Sequence, residues 1–190
     1  MIEKLPYNLK NRVLACENSQ FEVFYDHIKG ESGFEVKDYI TVIPKRRHSD
    51  DITGVAILPV IEGRIALLKI YRHILDDWSW EIPRGFVEPG EDQIQSAARE
   101  LEEETCLICE KKSIHSLGYI SPDAGIFRAR VHIFTAKKCH FSKSFAPNEI
   151  GHTELCMFSF SEALKMADES KIQDPYTLTA IYRYNRIQNS

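Results

Sequence analysis

The sequence predicts an α/β protein, one main domain preceded by a small β extension, and three observations lead there. In the first fifty residues Phe21, Val23 and Tyr25 alternate with polar neighbours, the period of a half-buried strand. From Ile52 to Val60 an almost unbroken apolar run reaches the Glu62-Gly63 turn, and a second run follows from Arg64 to Tyr71, so the two read as a hairpin in the core. A Gly/Pro loop from Gly85 then feeds a segment in which Ile94, Ala97, Ala98, Leu101 and Thr105 recur at helical spacing, forming one stripe expected to be buried. At 190 residues, 43% hydrophobic and 27% charged, the chain can bury a sizeable core. The extension is placed at residues 1–50 and the main domain at 51–190.

Within the extension Gly30-Glu31-Ser32-Gly33 supplies a turn, and Phe34, Val36 and Tyr39 to Ile43 give further strand-like runs that stop at Pro44. Lys45-Arg46-Arg47-His48, followed by Asp50-Asp51, reads as a polar connection; a basic cluster can hold phosphate, but beside two acids it fits a solvated loop. Arg72 ends the second core strand, and a guanidinium is suited to gripping phosphate or carboxylate, although a plain surface arginine is the simpler reading. Trp78 and Trp80 bracket Ser79 and share a face in an extended chain, as core or as a stacking surface, with core the expectation. Beyond the helix, residues 113–120 and 130–136 read as strands joined by a loop from Pro122 to Arg128. Phe141 to His152 reads as a mobile loop with one acid, Glu149, and Glu154 begins a strand over 155–160. Ser161 is the expected cap of a short helix, and Asp174-Pro175 opens a final helix to about Ile187.

A net charge of −4 and a pI near 6.0 exclude a general nucleic-acid or membrane-surface binder, since phosphate backbones and anionic lipids select clustered Lys and Arg. The substrate is expected to be small; an anionic one requires a metal and a few local arginines. Cys16, Cys106, Cys109, Cys139 and Cys156 are odd in number and lack framework spacing, and neither a signal peptide nor an apolar run of membrane length is visible. A reducing cytoplasm is therefore expected. Cys106-x-x-Cys109 has no partner pair or histidine at zinc spacing and reads as two small residues at a helix-to-strand junction.

The helix from the Gly85 loop ends in four acids. Glu100, Glu103 and Glu104 are related by i, i+3 and i+4, which gathers them on one flank of the last turn. Like charges there repel by roughly 0.2–0.5 kcal/mol per pair and meet the unfavourable end of the helix dipole. A hard dication on that flank gives the arrangement a purpose; a solvated acidic helix end is the plainer alternative.

Gly85, five residues, Glu91, seven residues, Arg99-Glu100-Leu101, one residue, Glu103-Glu104, one residue, then Cys106-Leu107 resembles the signature box of the Nudix hydrolases. All its specified positions are met except that Cys106 stands where the family has glycine, a position where positive φ is commonly needed and where cysteine costs on the order of 1 kcal/mol. The lead-in Trp80-Glu81-Ile82-Pro83-Arg84-Gly85, with Pro122 in the following loop and the Lys171 to Ala180 ending, resembles the ADP-ribose pyrophosphatase subgroup, with Arg84 in place of a small residue.

The resemblance implies an α/β/α sandwich around a mixed sheet, with the β extension serving dimer formation and base binding. It implies Mg²⁺, or Mn²⁺ in its place, held by Glu100 and Glu104, then Glu103, with the backbone carbonyl of Arg84 completing the shell. Glu91 and Arg99 brace the loop against the helix, which places Arg99 in the site as a support. Glu149 is the expected general base, with Glu154, a box glutamate and His152 as competitors, His152 being read first as a solvated loop histidine. The reaction implied is cleavage of a nucleoside diphosphate linked to another group, above all ADP-ribose to AMP and ribose 5-phosphate, by a homodimer. Alternatives are nucleoside triphosphates, dinucleoside polyphosphates, NADH or other nucleotide sugars as substrates, or a silent nucleotide-binding protein of the same fold.

Overall fold

The computed structural model describes residues 5–46 and 52–188, so part of the expected polar connection, 47–51, lies outside the described residues. Three antiparallel strands open the chain: β1 (Tyr7–Glu17), β2 (Phe21–Gly30) and β3 (Glu35–Pro44). β1 was not expected, because its polar residues hide any alternation, and it is exposed throughout. The sheet is joined to the main body by Val42, whose N–H donates to the Ile126 carbonyl at 2.8 Å and whose carbonyl accepts from Arg128 N–H at 2.9 Å.

The main body begins with β4 (Ile52–Ile61), β5 (Arg64–Arg72), β6 (Asp77–Glu81) and β7 (Arg84–Phe86). Helix α1 (Gln93–Thr105) and the short β8 (Leu107–Ile108) follow, then β9 (Ile114–Ile120), β10 (Arg130–Ala136), β11 (His140–Phe141) and β12 (His152–Ser159), and finally α2 (Phe160–Asp168) and α3 (Pro175–Gln188). Its sheet runs β12-β5-β4-β10-β9, with β6 beside β5 and β7 beside β4. β10 lies parallel to β4 while the other pairs are antiparallel, so the sheet is mixed. The expected hairpin exists only at its tip. Val60 faces Ile65 and Ile61 faces Arg64 across a turn with positive φ at Glu62 and Gly63; beyond it β4 and β5 part and take other partners.

Period-two geometry then explains why β4 is apolar at nearly every position. Ala56, Leu58 and Val60 pack with Ala163 of α2 and Ala180 and Ile181 of α3, whereas Val55 and Ile57 pack with Ala97 and Leu101 of α1. Helices therefore cover both faces of the sheet, an α/β/α sandwich.

Local sequence sets the helix ends. Asp92 caps α1, its side chain accepting from Gln95 N–H while Gln95 reaches back to Asp92 N–H. At the other end Cys106 is left-handed, φ 60 and ψ 18, with its N–H on the Glu102 carbonyl. Ile94, expected in the buried stripe, is 39% exposed: it is the second residue of α1 and borders an open hollow rather than the packed core. The cap of α2 is Ser159 rather than Ser161: the Ser-x-x-Glu box formed with Glu162 starts the helix two residues earlier. Asp174 accepts from Thr177 N–H at 2.9 Å and opens α3 as expected. Of the two tryptophans only Trp80 packs on the core, edge-on to Phe158, whereas Trp78 is exposed near the rim with Lys69 over its ring.

One buried carboxylate ties the three extension strands together. Asp26 of β2 accepts from Nε and Nη2 of Arg12 in β1, at 2.7 Å each, and from the Thr41 hydroxyl of β3 at 2.9 Å. The Arg12 hydrogen bonds hold its carboxyl below the usual carboxylate range. A depressed folded pKa contributes stability above the unfolded value near 3.9 that is lost as pH falls through the folded one. Asp26→Asn is expected to lower stability by about 1–3 kcal/mol at neutral pH. In urea unfolding the gap to the wild type should shrink once pH drops below about 4; a gap independent of pH would show that the carboxylate charge contributes nothing.

Candidate active site

α1 turns its last two turns inward. Glu100 and Glu104, one turn apart, lie on its buried face and are 7% and 5% exposed. Glu103, rotated about 100° from Glu104, points outward and bonds to Arg99 Nη1 at 2.9 Å. The three acids on one flank in sequence thus divide into two inside and one out. Their neighbours are the backbone of β7 and its loop: Arg84 N–H donates to Glu104 Oε2 at 3.2 Å, and a Cβ on Gly85 would fall within the Glu100 carboxylate, so no side chain fits at position 85. Arg99 fastens this contact. Its Nε faces both Glu91 oxygens at 3.1 Å, Nη1 donates to Glu100 Oε1 at 2.7 Å, and Nη2 donates to the Phe86 carbonyl at 3.0 Å.

A second segment closes in from residues 142–151. Gly151, at φ +91, passes so near β5 that a Cβ would lie 2.6 Å from the Tyr71 carbonyl, and its own carbonyl accepts from Tyr71 N–H at 2.9 Å. Asn148 donates to the Glu103 carbonyl at 2.9 Å. The result is that Glu104, Glu149 and His152 offer ligand atoms all within 4.8 Å of one another. His152 is not the solvated loop histidine expected. It pairs with Ile70 as the first residue of β12 and is 8% exposed, and its Nδ1 is buried without a hydrogen-bond partner. Glu154 stands apart from this group and pairs with Lys69 at 3.3 Å in solvent.

Charge here is only partly compensated: Arg99 pairs with Glu100, while Glu104 accepts from the Arg84 backbone. Burial, reinforced by the negative charges of Glu149 and Glu100, pushes the Glu104 carboxyl up to about 8, and burial raises Glu100 as well despite Arg99. Burial likewise pushes His152 below its ordinary range. Carboxylate oxygens crowded in this way suit a hard dication such as Mg²⁺ or Mn²⁺, and the ligand atoms of Glu104, Glu149 and His152, all within 4.8 Å of one another, could hold a metal ion.

Beside the acids, two arginines converge on Glu81, which is 2% exposed. Arg72 bonds it through Nε at 2.8 Å and Nη2 at 2.5 Å, and Arg84 through Nη2 at 2.8 Å. Burial alone would raise the Glu81 carboxyl, but the Arg72 hydrogen bonds and both positive charges outweigh it and leave it low. Arg84 also bonds Asp174 and lies over the Tyr176 ring, 4.4 Å from its centre. Both guanidiniums line a cavity of about 360 Å³ walled by Phe21, Phe86, Phe127 and Tyr176. Phe21 comes from the extension and packs against Phe86 and Phe127, at 6.0 and 5.5 Å between ring centres. A larger hollow of about 570 Å³ around Gln93, Ser116 and His132 includes none of the clustered acids. Sequence reasoning missed the Phe21, Phe86 and Phe127 wall and the Arg84 side chain; the aromatics are far apart along the chain, and the only signal for Arg84 was its bulk where a small residue is usual.

Comparison with known proteins bears on this geometry. Residues 51–179 match the family model of the NUDIX domain. The ADP-ribose pyrophosphatase of Bacillus subtilis (strain 168) is 33% identical over 130 residues, 67% of this chain and 69% of that protein. The methanol dehydrogenase activator of Bacillus methanolicus is 31% identical over 145 residues, 76% of each chain. A CMP-5'-(N-acetyl-N-hydroxy-3-aminopropyl)phosphonate hydrolase of Streptomyces rubellomurinus is 39% identical over 85 residues, 44% of this chain and 40% of that one. The crystal structure of an ADP compounds hydrolase superposes with a TM-score of 0.80 over 100% of this chain and 97% of the other at 13% identity, a likeness of fold. With its family model spanning most of the chain and box glutamates buried against the loop ahead of α1, the protein belongs to the NUDIX family and is a Nudix pyrophosphohydrolase resembling the ADP-ribose pyrophosphatases.

Proposed function

We propose that the protein hydrolyses, with Mg²⁺, a nucleoside diphosphate joined to a second group, and that ADP-ribose, cleaved to AMP and ribose 5-phosphate, is its substrate. The observation that carries this reading is the pair Glu100 and Glu104, both buried, with Glu149 at Glu104 and a guanidinium-and-aromatic cavity alongside. Similarity to the B. subtilis ADP-ribose pyrophosphatase supports the choice of substrate. Glu100 and Glu104 would hold the ion, with the Arg84 carbonyl completing its surroundings, while Glu103, the further ligand the resemblance implied, stays outside on Arg99. When bound, the dication neutralises the diphosphate and lowers the barrier to attack by water. Arg72 and Arg84 orient the phosphates, the phenylalanine wall stacks the base, and Arg99 positions the glutamates. Glu149, about half exposed and free to meet a water, takes the proton as general base.

All five cysteines are free thiols, and no described helix is long and apolar enough to cross a membrane, which supports a cytoplasmic location for this reading. The extension supports a homodimer. Leu9, Val13, Leu14, Tyr25 and Ile40 are all exposed on it, and β1 ends the small sheet as a long edge strand that a second copy would cover.

A panel of nucleoside diphosphate derivatives assayed with and without Mg²⁺, with products identified, tests the function. Turnover of ADP-ribose that chelation abolishes is expected; tight ADP-ribose binding with no turnover of any compound would make the protein a silent nucleotide binder. Glu149→Gln should lower kcat by roughly 10²–10⁴ while Mg²⁺ affinity measured by calorimetry stays within a few-fold. Near-normal turnover would exclude Glu149 as base, and loss of affinity would reassign it as a ligand. Light scattering should return twice the 21.9 kDa chain mass, and Leu9→Asp with Val13→Asp should halve it; a monomeric wild type would refute the dimer.

A further inference from the structure

Outside the site, β8 and β11 form a two-stranded ribbon with His140 opposite Ile108 and Phe141 opposite Leu107. One step further along this antiparallel register brings Cys139 opposite Cys109. The phase of the ladder is set by Ser142 N–H, which donates to the Cys106 carbonyl at 2.9 Å, so 106 and 142 are a hydrogen-bonded pair. Alternation makes 108 with 140 the next such pair and 109 with 139 a non-hydrogen-bonded one. In keeping with this, Cys139 N–H turns away to the Val60 carbonyl at 3.1 Å. Non-hydrogen-bonded partners sit about 4.5 Å apart between Cα atoms with their side chains closest, inside the span a disulfide bridges. Both residues join the cluster under α1, Cys139 buried and Cys109 half-buried.

We propose that Cys109 and Cys139 are a site of reversible covalent modification, an intramolecular disulfide formed by hydroperoxides. The partly exposed Cys109 is the attacking group. Its neighbour Cys139, whose own Sγ–H donates to the Ala136 carbonyl at 3.3 Å, lowers the Cys109 thiol, and the same contact together with burial raises Cys139 and keeps it protonated. The Cys109 thiolate attacks the peroxide O–O bond; with one proton taken up, one water leaves and a sulfenic acid remains. The Cys139 sulfur then displaces hydroxide from that sulfenic acid, its own proton leaving with the hydroxide as a second water. Two thiols and one hydrogen peroxide thus become one disulfide and two waters. The bond would pin the end of β8, which follows directly on α1 and Glu104, to the strand that leads into the Glu149 segment.

Hydrogen peroxide treatment of the full chain, followed by peptide mapping without reductant, tests this. The expected product is one cross-linked pair of peptides, two hydrogens lighter than the thiols, joining Cys109 to Cys139, with Cys16, Cys106 and Cys156 still alkylatable and dithiothreitol restoring the starting masses. Tm should rise by roughly 5–10 °C in the oxidised form, and hydrogen exchange over residues 139–151 should slow. Cys109→Ser should abolish the link, and Cys139→Ser should leave a trappable sulfenic acid at Cys109. Survival of both thiols, sulfinic acid at Cys109 without a link in the wild type, or a link between two chains would overturn the proposal.

Discussion

Two carboxylates one turn apart, Glu100 and Glu104, are removed from water against the backbone of Arg84 and Gly85, and the rest of the domain is arranged around the cost of burying them. With its carboxyl pushed up to about 8, holding Glu104 ionised costs on the order of 5 kcal/mol relative to water. That exceeds what any single helix cap returns, typically about 1 kcal/mol. Three features keep the pair in place. The apolar stripe of Ala97 and Leu101 presses α1 onto β4, the missing Cβ at Gly85 leaves room for Glu100, and Arg99 reaches the loop and three box glutamates at once.

The substrate side of the molecule follows from a different constraint, the need to bury Glu81. A carboxylate 2% exposed requires cations, and Arg72 and Arg84 supply them. Because both arginines also line the cavity, the interaction that satisfies a buried acid presents guanidinium groups to whatever enters. The extension completes this cavity with Phe21, so a sheet that looks separable in topology contributes a wall next to the proposed chemistry. Gly151 serves the acid cluster, since its close passage by Tyr71 is what turns the chain from the Glu149 segment into β12.

Cys106 shows how a departure from a family pattern is absorbed. Its left-handed backbone, expected because glycine is usual there, is the conformation that ends α1 just after Glu104 and starts β8. The strain is on the order of 1 kcal/mol and is offset by a side chain that is 2% exposed and joins the packed interior.

By itself the sequence determined what repeats locally: the period-two and helical runs, the turn at Glu62-Gly63, the Asp174 cap, and the fixed spacing from Gly85 to Leu107 that carries the family. The runs, the turn and the cap are each set by neighbours within about four residues, and the box is a fixed order along one continuous segment, so the chain displays them directly. Tertiary structure alone decided which acids face inward, that His152 is buried beside Glu104 and Glu149, that β4 and β5 separate after their turn, and that Phe21 meets Phe86 and Phe127. Those contacts join residues dozens of positions apart, where sheet register and helix docking set the distances, and no local pattern encodes either.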